Sequence, residues 1–172
     1  MKFGKLSRLD VRDAVQGSVQ RIKTGEADSP EGARHAMIGV VVVGHCRLPE
    51  ELISAAELIV GKLKGFQGVS IGPSSNPDEI RDRIAGAIRK VDSGSGVLIL
   101  TDMFGGTPST ISFSFLEENR IEVVTGVNLP MLLKLSTSGT EMALRELAQF
   151  IKGYGQKNIN IASEILSKNV KK

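Results

Sequence analysis

Ile38-Gly39-Val40-Val41-Val42-Val43-Gly44-His45 is the stretch that decides the fold. Its β-branched residues run without a polar interruption, as in a strand buried on both faces. Such a strand belongs to a parallel sheet covered by helices, and the downstream sequence supplies both. Pro49 suits the first turn of a helix, and Glu50 and Glu51 complement the positive end of its dipole. Leu52, Ile53, Ala56, Ile59 and Leu63 then recur at helical spacing. Val69-Ser70-Ile71 reads as a short second strand. Asn76-Pro77-Asp78-Glu79 opens a second helix, with Asn76 as cap and Ile80, Ile84, Ile88 and Val91 as its apolar stripe, and Ser93-Gly94-Ser95-Gly96 stops it. Val97-Leu98-Ile99-Leu100 is a third strand and Ile121-Glu122-Val123-Val124-Thr125 a fourth. Between them, Thr107-Pro108 marks the cap and first turn of a helix reaching about Glu118. Helices follow near Leu129-Pro130 and from Thr140 to about Gly153. Asn158-Ile159-Asn160-Ile161 alternates polar and apolar, as an edge strand does. The expected fold is α/β: a mostly parallel, doubly wound sheet of four strands plus a C-terminal antiparallel edge strand, with helices on both faces.

The chain has 172 residues, right for one compact domain, and 41% of them are apolar, enough for one core. Residues 1–36 read as an N-terminal extension. Leu9 to Lys23 could form a short helix, with Val11, Val15, Val19 and Ile22 on one side, and Thr24 to Gly32 has linker composition. Residues 37–172 are the main domain. No apolar run approaches the roughly 20 residues that span a bilayer, and the N-terminus lacks an apolar signal core, so a cytoplasmic protein is expected. The single cysteine, Cys46, excludes an internal disulfide, and the two histidines, His35 and His45, have no ligand partners at zinc spacing. No metal site is expected. The formal charge of +3 sits at the two ends of the chain, leaving the body close to neutral. With one Tyr and no Trp to stack on bases, that distribution argues against a nucleic-acid partner.

In a doubly wound sheet, ligands bind beyond the carboxyl ends of the strands, where strand order reverses. Strand one ends at Gly44-His45-Cys46, strand three at Asp102-Met103-Phe104-Gly105-Gly106-Thr107-Pro108, and strand four at Gly126-Val127-Asn128-Leu129-Pro130. A neutral imidazole attacks phosphorus through one nitrogen while the other keeps its proton. A carboxylate accepting that N–H fixes the tautomer and stabilises the cationic ring formed on attack. Asp102 could do this for His45 if strands one and three are neighbours. Gly105, Gly106 and the Thr107 hydroxyl could then donate to phosphoryl oxygens, aided by the start of the next helix. Each residue also has a plainer reading: His45 as a loop histidine, Asp102 as a turn former, the Gly pair as a tight turn, Thr107 as an N-cap, and Cys46 as a small, at least half-buried residue. Their shared position at strand ends is what favours chemistry.

Gly44-His45, Leu48-Pro49-Glu50-Glu51-Leu52 and Ala55-Ala56-Glu57 resemble the first motif of the mannose-type enzyme IIA domains of the bacterial phosphoenolpyruvate-dependent sugar phosphotransferase system. Thr101 to Pro108 resembles the second motif, and Gly126 to Leu132 the third. The likeness runs from about Met37 to Leu166. It implies that His45 accepts a phosphoryl group from HPr through Nε2, with Asp102 on Nδ1 and Thr107 near the phosphoryl oxygens. It implies onward transfer to a separate IIB component for sugar uptake, with Phe104, Asn128 and Pro130 as candidate partner contacts. It also implies a homodimer, in which Asn158 to Ile161 is the candidate for a strand exchanged between subunits, and peripheral association with IIC and IID membrane components. No cofactor is expected. Cys46 departs from the small residue usual there, and residues 1–36 have no counterpart.

Four other readings stay open at the level of sequence. The phosphotransfer subunit of dihydroxyacetone kinase shares the fold and a strand-end histidine, although the second and third motifs favour the sugar system. A receiver-like switch phosphorylated on Asp102 would need further acids near strand one to hold Mg²⁺, and that tip offers His45 and Cys46 instead. A nucleotide-binding module lacks both G-x-G-x-x-G and a P-loop. A phosphocarrier with a regulatory role and no part in transport has the same residues as a transporting one.

Overall fold

A computed structural model describes residues 37–138 and 142–169. The N-terminal extension, with its expected helix at Leu9 to Lys23, lies outside the described residues. Four strands form one sheet: β1 (Gly39–His45), β2 (Phe66–Ile71), β3 (Val97–Thr101) and β4 (Ile121–Thr125). Every pairing is parallel and the spatial order is β2-β1-β3-β4. The chain moves outward from β1 to β2 and then returns past β1 to β3. Strand order therefore reverses between β1 and β3, the position where such sheets open a crevice.

Among the described residues, six helices accompany the strands: α1 (Leu48–Val60), α2 (Pro77–Val91), α3 (Thr107–Phe113), α4 (Leu129–Ser138), α5 (Leu144–Lys157) and α6 (Ala162–Asn169). The pleat sends alternate residues of β1 and β3 to opposite faces. Val40, Val42, Leu98 and Leu100 meet Ala56 of α1, Met131, Leu132 and Leu135 of α4, and Leu147 and Ile151 of α5. Val41, Val43, Val97 and Ile99 meet Ile80, Ile84, Ala87 and Ile88 of α2, with Ile111 of α3 at the margin. Burial on both faces explains why β1 reads as an unbroken apolar run. Each fully buried Ile or Leu contributes about 1.5–3 kcal/mol relative to its exposed state. Asn76 caps α2 as expected, its side chain accepting from the Asp78 N–H at 2.9 Å.

Several boundaries differ from the sequence reading. β2 begins at Phe66, because pairing with β1 recruits residues that lack strand periodicity of their own. Ile59 in α1 is exposed, while Leu63, beyond the helix, is buried. The helix at Thr107 ends at Phe113, well before Glu118. Ser114 turns its hydroxyl back onto the Ile111 carbonyl, and Phe115 and Leu116 bond only three residues back, so the turn tightens and stops. α5 runs from Leu144 to Lys157, later than expected at both ends.

The edge strand expected at Asn158-Ile159-Asn160-Ile161 is not formed, and the described sheet has only its four parallel strands. Both ends of the segment are committed to helices. The Asn158 and Ile159 N–H groups donate back to Gly155 and Gln156, and the Asn158 carboxamide donates to the Tyr154 carbonyl. The Ile161 carbonyl accepts from Glu164 and Ile165 at the start of α6. The segment serves as the connection between α5 and α6.

Candidate functional site

β1 and β3 are direct neighbours, so their carboxyl ends lie side by side. The Asp102 N–H still donates to the Val43 carbonyl at 3.2 Å, which extends the strand pairing by one residue. At this point the side chains take over. Asp102 Oδ2 accepts from the His45 ring at Nδ1, 2.7 Å away, and from the His45 backbone N–H, 2.8 Å away. Asp102 Oδ1 accepts from the Met103 N–H at 2.8 Å. Both carboxylate oxygens are thus engaged, and the side chain is only 11% exposed.

The protonation consequences follow. Partial burial pushes the Asp102 carboxyl up, but the N–H of His45, its ring and charge, and the Met103 N–H together outweigh that and hold it below the usual aspartate value. An ionised Asp102 accepts only, so the Nδ1 facing it carries a proton. In the neutral ring the lone pair then lies on Nε2, and the His45 side chain is 49% exposed. The second face of the ring's surroundings is set by Gly106. A Cβ placed on Gly106 would lie 3.2 Å from His45 Cε1, the carbon between Nδ1 and Nε2, so the Gly105-Gly106 turn passes close to the ring. Gly105 has a φ of +83°, which glycine adopts without strain.

The structure thus brings His45, Asp102 and the Gly105-Gly106 turn together. Thr107 is exposed at the first position of α3, and Gly106, not Thr107, is the residue before the helix. The Thr107 side chain makes no capping bond, so the N-cap reading of Thr107 is corrected. Phe104 is 74% exposed and leans on Phe113, with ring centroids 6.0 Å apart. Met103 and Leu48 are exposed too. Asn128 and Pro130 are half-buried. Asn128 accepts from the Met131 N–H and donates to the Gly155 carbonyl, so its carboxamide ties the start of α4 to α5. Cys46, expected to be at least half-buried, is exposed. It has a φ of +50°, and its N–H donates to the Ile71 carbonyl at 2.8 Å.

Sequence reasoning missed the two backbone donors to Asp102, from His45 and Met103. Backbone donors leave no residue-type signature, and only strand register reveals them. A receiver-like reading fits poorly, because both Asp102 oxygens are held by donors. No cluster of three or more metal-binding side chains occurs among the described residues. No helix among them is long and apolar enough to cross a membrane.

The family model EIIA-man, described as the PTS system fructose IIA component, matches residues 39–152. The chain is 30% identical over 133 residues to the fructose-specific EIIA component of the phosphotransferase system of Bacillus subtilis (strain 168), a span covering 77% of this chain and 91% of that protein. It is 29% identical over 133 residues to the sorbose-specific EIIA component of Lacticaseibacillus casei, covering 77% of this chain and 96% of that protein. The crystal structure of phosphotransferase system component EIIA from Streptococcus agalactiae superposes with a TM-score of 0.68 at 25% identity, over 74% of this chain and 99% of that one. The chain belongs to the mannose-type (EIIA-man) family of enzyme IIA components, phosphoryl carriers of the sugar phosphotransferase system.

Proposed function

We propose that His45 is the residue that carries the phosphoryl group, received from HPr and passed to a separate IIB component. The observation that carries this reading is the 2.7 Å contact between His45 Nδ1 and Asp102 Oδ2. It leaves the Nε2 lone pair of a neutral ring as the nucleophile. Nε2 attacks the phosphorus, the bond from phosphorus to the donor breaks, and its electron pair leaves with the donor. The His45 ring becomes cationic with Nδ1 still protonated, and the ionised Asp102 stabilises that charge. Attack by the IIB acceptor on the same phosphorus reverses the steps. Because the reaction needs positioning more than covalent help, the N–H groups of Gly105 and Gly106 and the Thr107 hydroxyl would serve the phosphoryl oxygens. The exposed Phe104 and the half-buried Asn128 and Pro130 would contribute to the contact with partner proteins.

Assembly belongs to the same reading. Ile159, Ile161 and Ile165 are exposed in the C-terminal segment, which supports a homodimer that covers them. Peripheral contact with IIC and IID membrane components and work in the cytoplasm follow from the relay itself. The IIA step never touches sugar, so sugar specificity lies with the partners.

Incubation with phosphoenolpyruvate, enzyme I and HPr tests the reading. The expected adduct is acid-labile and alkali-stable, and His45→Ala abolishes it. Undiminished labelling of His45→Ala would sink the assignment, and a hydroxylamine-sensitive adduct would transfer it to a carboxylate such as Asp102.

A further inference from the structure

His45 and Asp102 start on opposite faces of the sheet. Side chains alternate along a strand, and Val40 and Val42 share one face with Leu98 and Leu100, while Val41 and Val43 share the other with Val97 and Ile99. Continuing that alternation places Gly44 and Asp102 on the first face and His45 on the second. Gly44 and Asp102 are also next in register after the Val43–Thr101 pair, so they are cross-strand neighbours. For Asp102 to reach the His45 ring, its carboxylate must cross the strand over the position where residue 44 would carry a side chain.

Gly44 leaves that position empty. A Cβ built there would lie 3.0 Å from Asp102 Oδ2, 3.2 Å from its Cγ and 3.3 Å from its Cβ. All three nearest atoms belong to Asp102. Gly44 lies outside the positive-φ glycines, so its backbone conformation suits any residue and space is what the position requires. The reach has a second mark in the ladder. Val43 accepts from the Asp102 N–H, so the next bond of a parallel ladder would run from the His45 N–H to the Asp102 backbone carbonyl. That N–H goes to the Asp102 side chain. The carboxylate has taken the place of the ladder's next acceptor, and the same oxygen then holds the ring.

We infer that Gly44 is a positioning residue for phosphoryl transfer: its missing side chain is what lets Asp102 cross the strand, accept from the His45 backbone and ring with one oxygen, and set the ring's tautomer. The inference rests on the His45–Asp102 reading above and assigns that site a third member that touches neither phosphate nor partner. In Gly44→Ala the Asp102 carboxylate must give way by a few tenths of an ångström, which strains the bond from its Oδ2 to the ring. A misplacement of about 1 Å near reacting atoms costs about a hundredfold in rate, so this smaller one costs about tenfold.

The test is a double-mutant cycle on the whole chain, with Gly44→Ala, Asp102→Ala and the double variant, read in two ways. Nitrogen and proton NMR of the His45 imidazole reports the tautomer and the hydrogen-bonded Nδ1 proton without any phosphoryl transfer. Rapid-quench transfer from phosphorylated HPr reports the rate. The expected result is that Gly44→Ala shifts the wild-type Nδ1 proton signal and slows transfer about tenfold. In the Asp102→Ala background the same substitution changes neither reading by more than about twofold, because the two nearest atoms, Oδ2 and Cγ, are gone and only the residue 102 Cβ, at 3.3 Å, remains. Equal effects of Gly44→Ala in both backgrounds overturn the inference, as does a single variant that keeps the wild-type ring signal. Should Gly44→Ala fail to fold, the inference requires the double variant to fold, and its failure to do so counts equally against it. A wild type that labels elsewhere than His45 would refute the underlying site, whatever the ring signal shows.

Discussion

Asp102→Asn is the most informative single change, because it removes one charge and keeps the shape. Asp102 accepts three hydrogen bonds in the structure, two from His45 and one from Met103. An asparagine side chain has one accepting oxygen and one donating NH₂ group. With its oxygen toward His45, the amide meets the Met103 N–H donor to donor. With the amide toward His45, the ring must turn Nδ1 into an acceptor and move its proton to Nε2, which removes the nucleophilic lone pair. The cationic ring formed on attack also loses its counter-charge. Hydrogen bonds to charged groups contribute about 1.5–3 kcal/mol each. A unit charge pair about 4 Å apart near a protein surface gives at most about 4 kcal/mol, and the half-exposed ring lowers that. Taking about 2–4 kcal/mol of lost transition-state stabilisation, transfer slows by about 30-fold to 1,000-fold. Rapid-quench measurement with phosphorylated HPr checks this. A rate within about threefold of wild type would refute the role given to the carboxylate, since no arrangement of the amide satisfies all three donors.

The same variant carries a pH signature. The Asp102 carboxyl is held below its ordinary value in the folded state, so the folded state binds protons less readily than the unfolded one. Its contribution to stability is therefore fully present above the ordinary aspartate pKa of about 3.9 and is lost as pH falls through the lowered folded value. Denaturant unfolding of wild type and Asp102→Asn should show a stability gap at neutral pH that narrows in acid. A gap that widens as pH falls would contradict the sign.

Three further outcomes are expected. Phe104→Ala should leave stability within about 0.5 kcal/mol, because the ring is largely exposed, while weakening the productive encounter with HPr or IIB in a steady-state relay assay. Ile84→Ala should cost about 2–5 kcal/mol in denaturant unfolding, since the side chain is fully buried between β1 and α2 and its removal leaves a cavity. Cys46→Gly should raise stability by up to about 1 kcal/mol in the same assay, because Cys46 occupies the left-handed region at φ +50° and exposes its side chain. A loss of stability there would mean that the thiol makes a contact worth more than the backbone strain.

Much of this protein was legible in its residues, and the reasons are physical. The unbroken run at Val40 to Val43 could only be a strand covered on both faces, and the stripe Ile80, Ile84, Ile88 and Val91 could only be one face of a helix. Asn76-Pro77 marked a helix start because capping and a fixed φ are local properties. His45 and Asp102 stood out because the ends of parallel strands are where a sheet exposes side chains to a ligand. Other features depend on atoms distant in sequence. The helix at Thr107 stopped early because serine hydroxyls competed for its carbonyls. Asn158 to Ile161 alternates like a strand, but its first two N–H groups and its last carbonyl bond to the flanking helices, and it connects α5 to α6. The polarity of the His45–Asp102 pair depends on register: a one-residue shift between β1 and β3 would move Asp102 to the other face. The sequence by itself determined the four parallel strands and most of the helices, since periodicity and capping act over a few residues, and it singled out the two strand ends where we place the site. Only the tertiary structure decided that one carboxylate oxygen holds both the backbone and the ring of His45, because that contact needs the two strands in register and an empty space at Gly44.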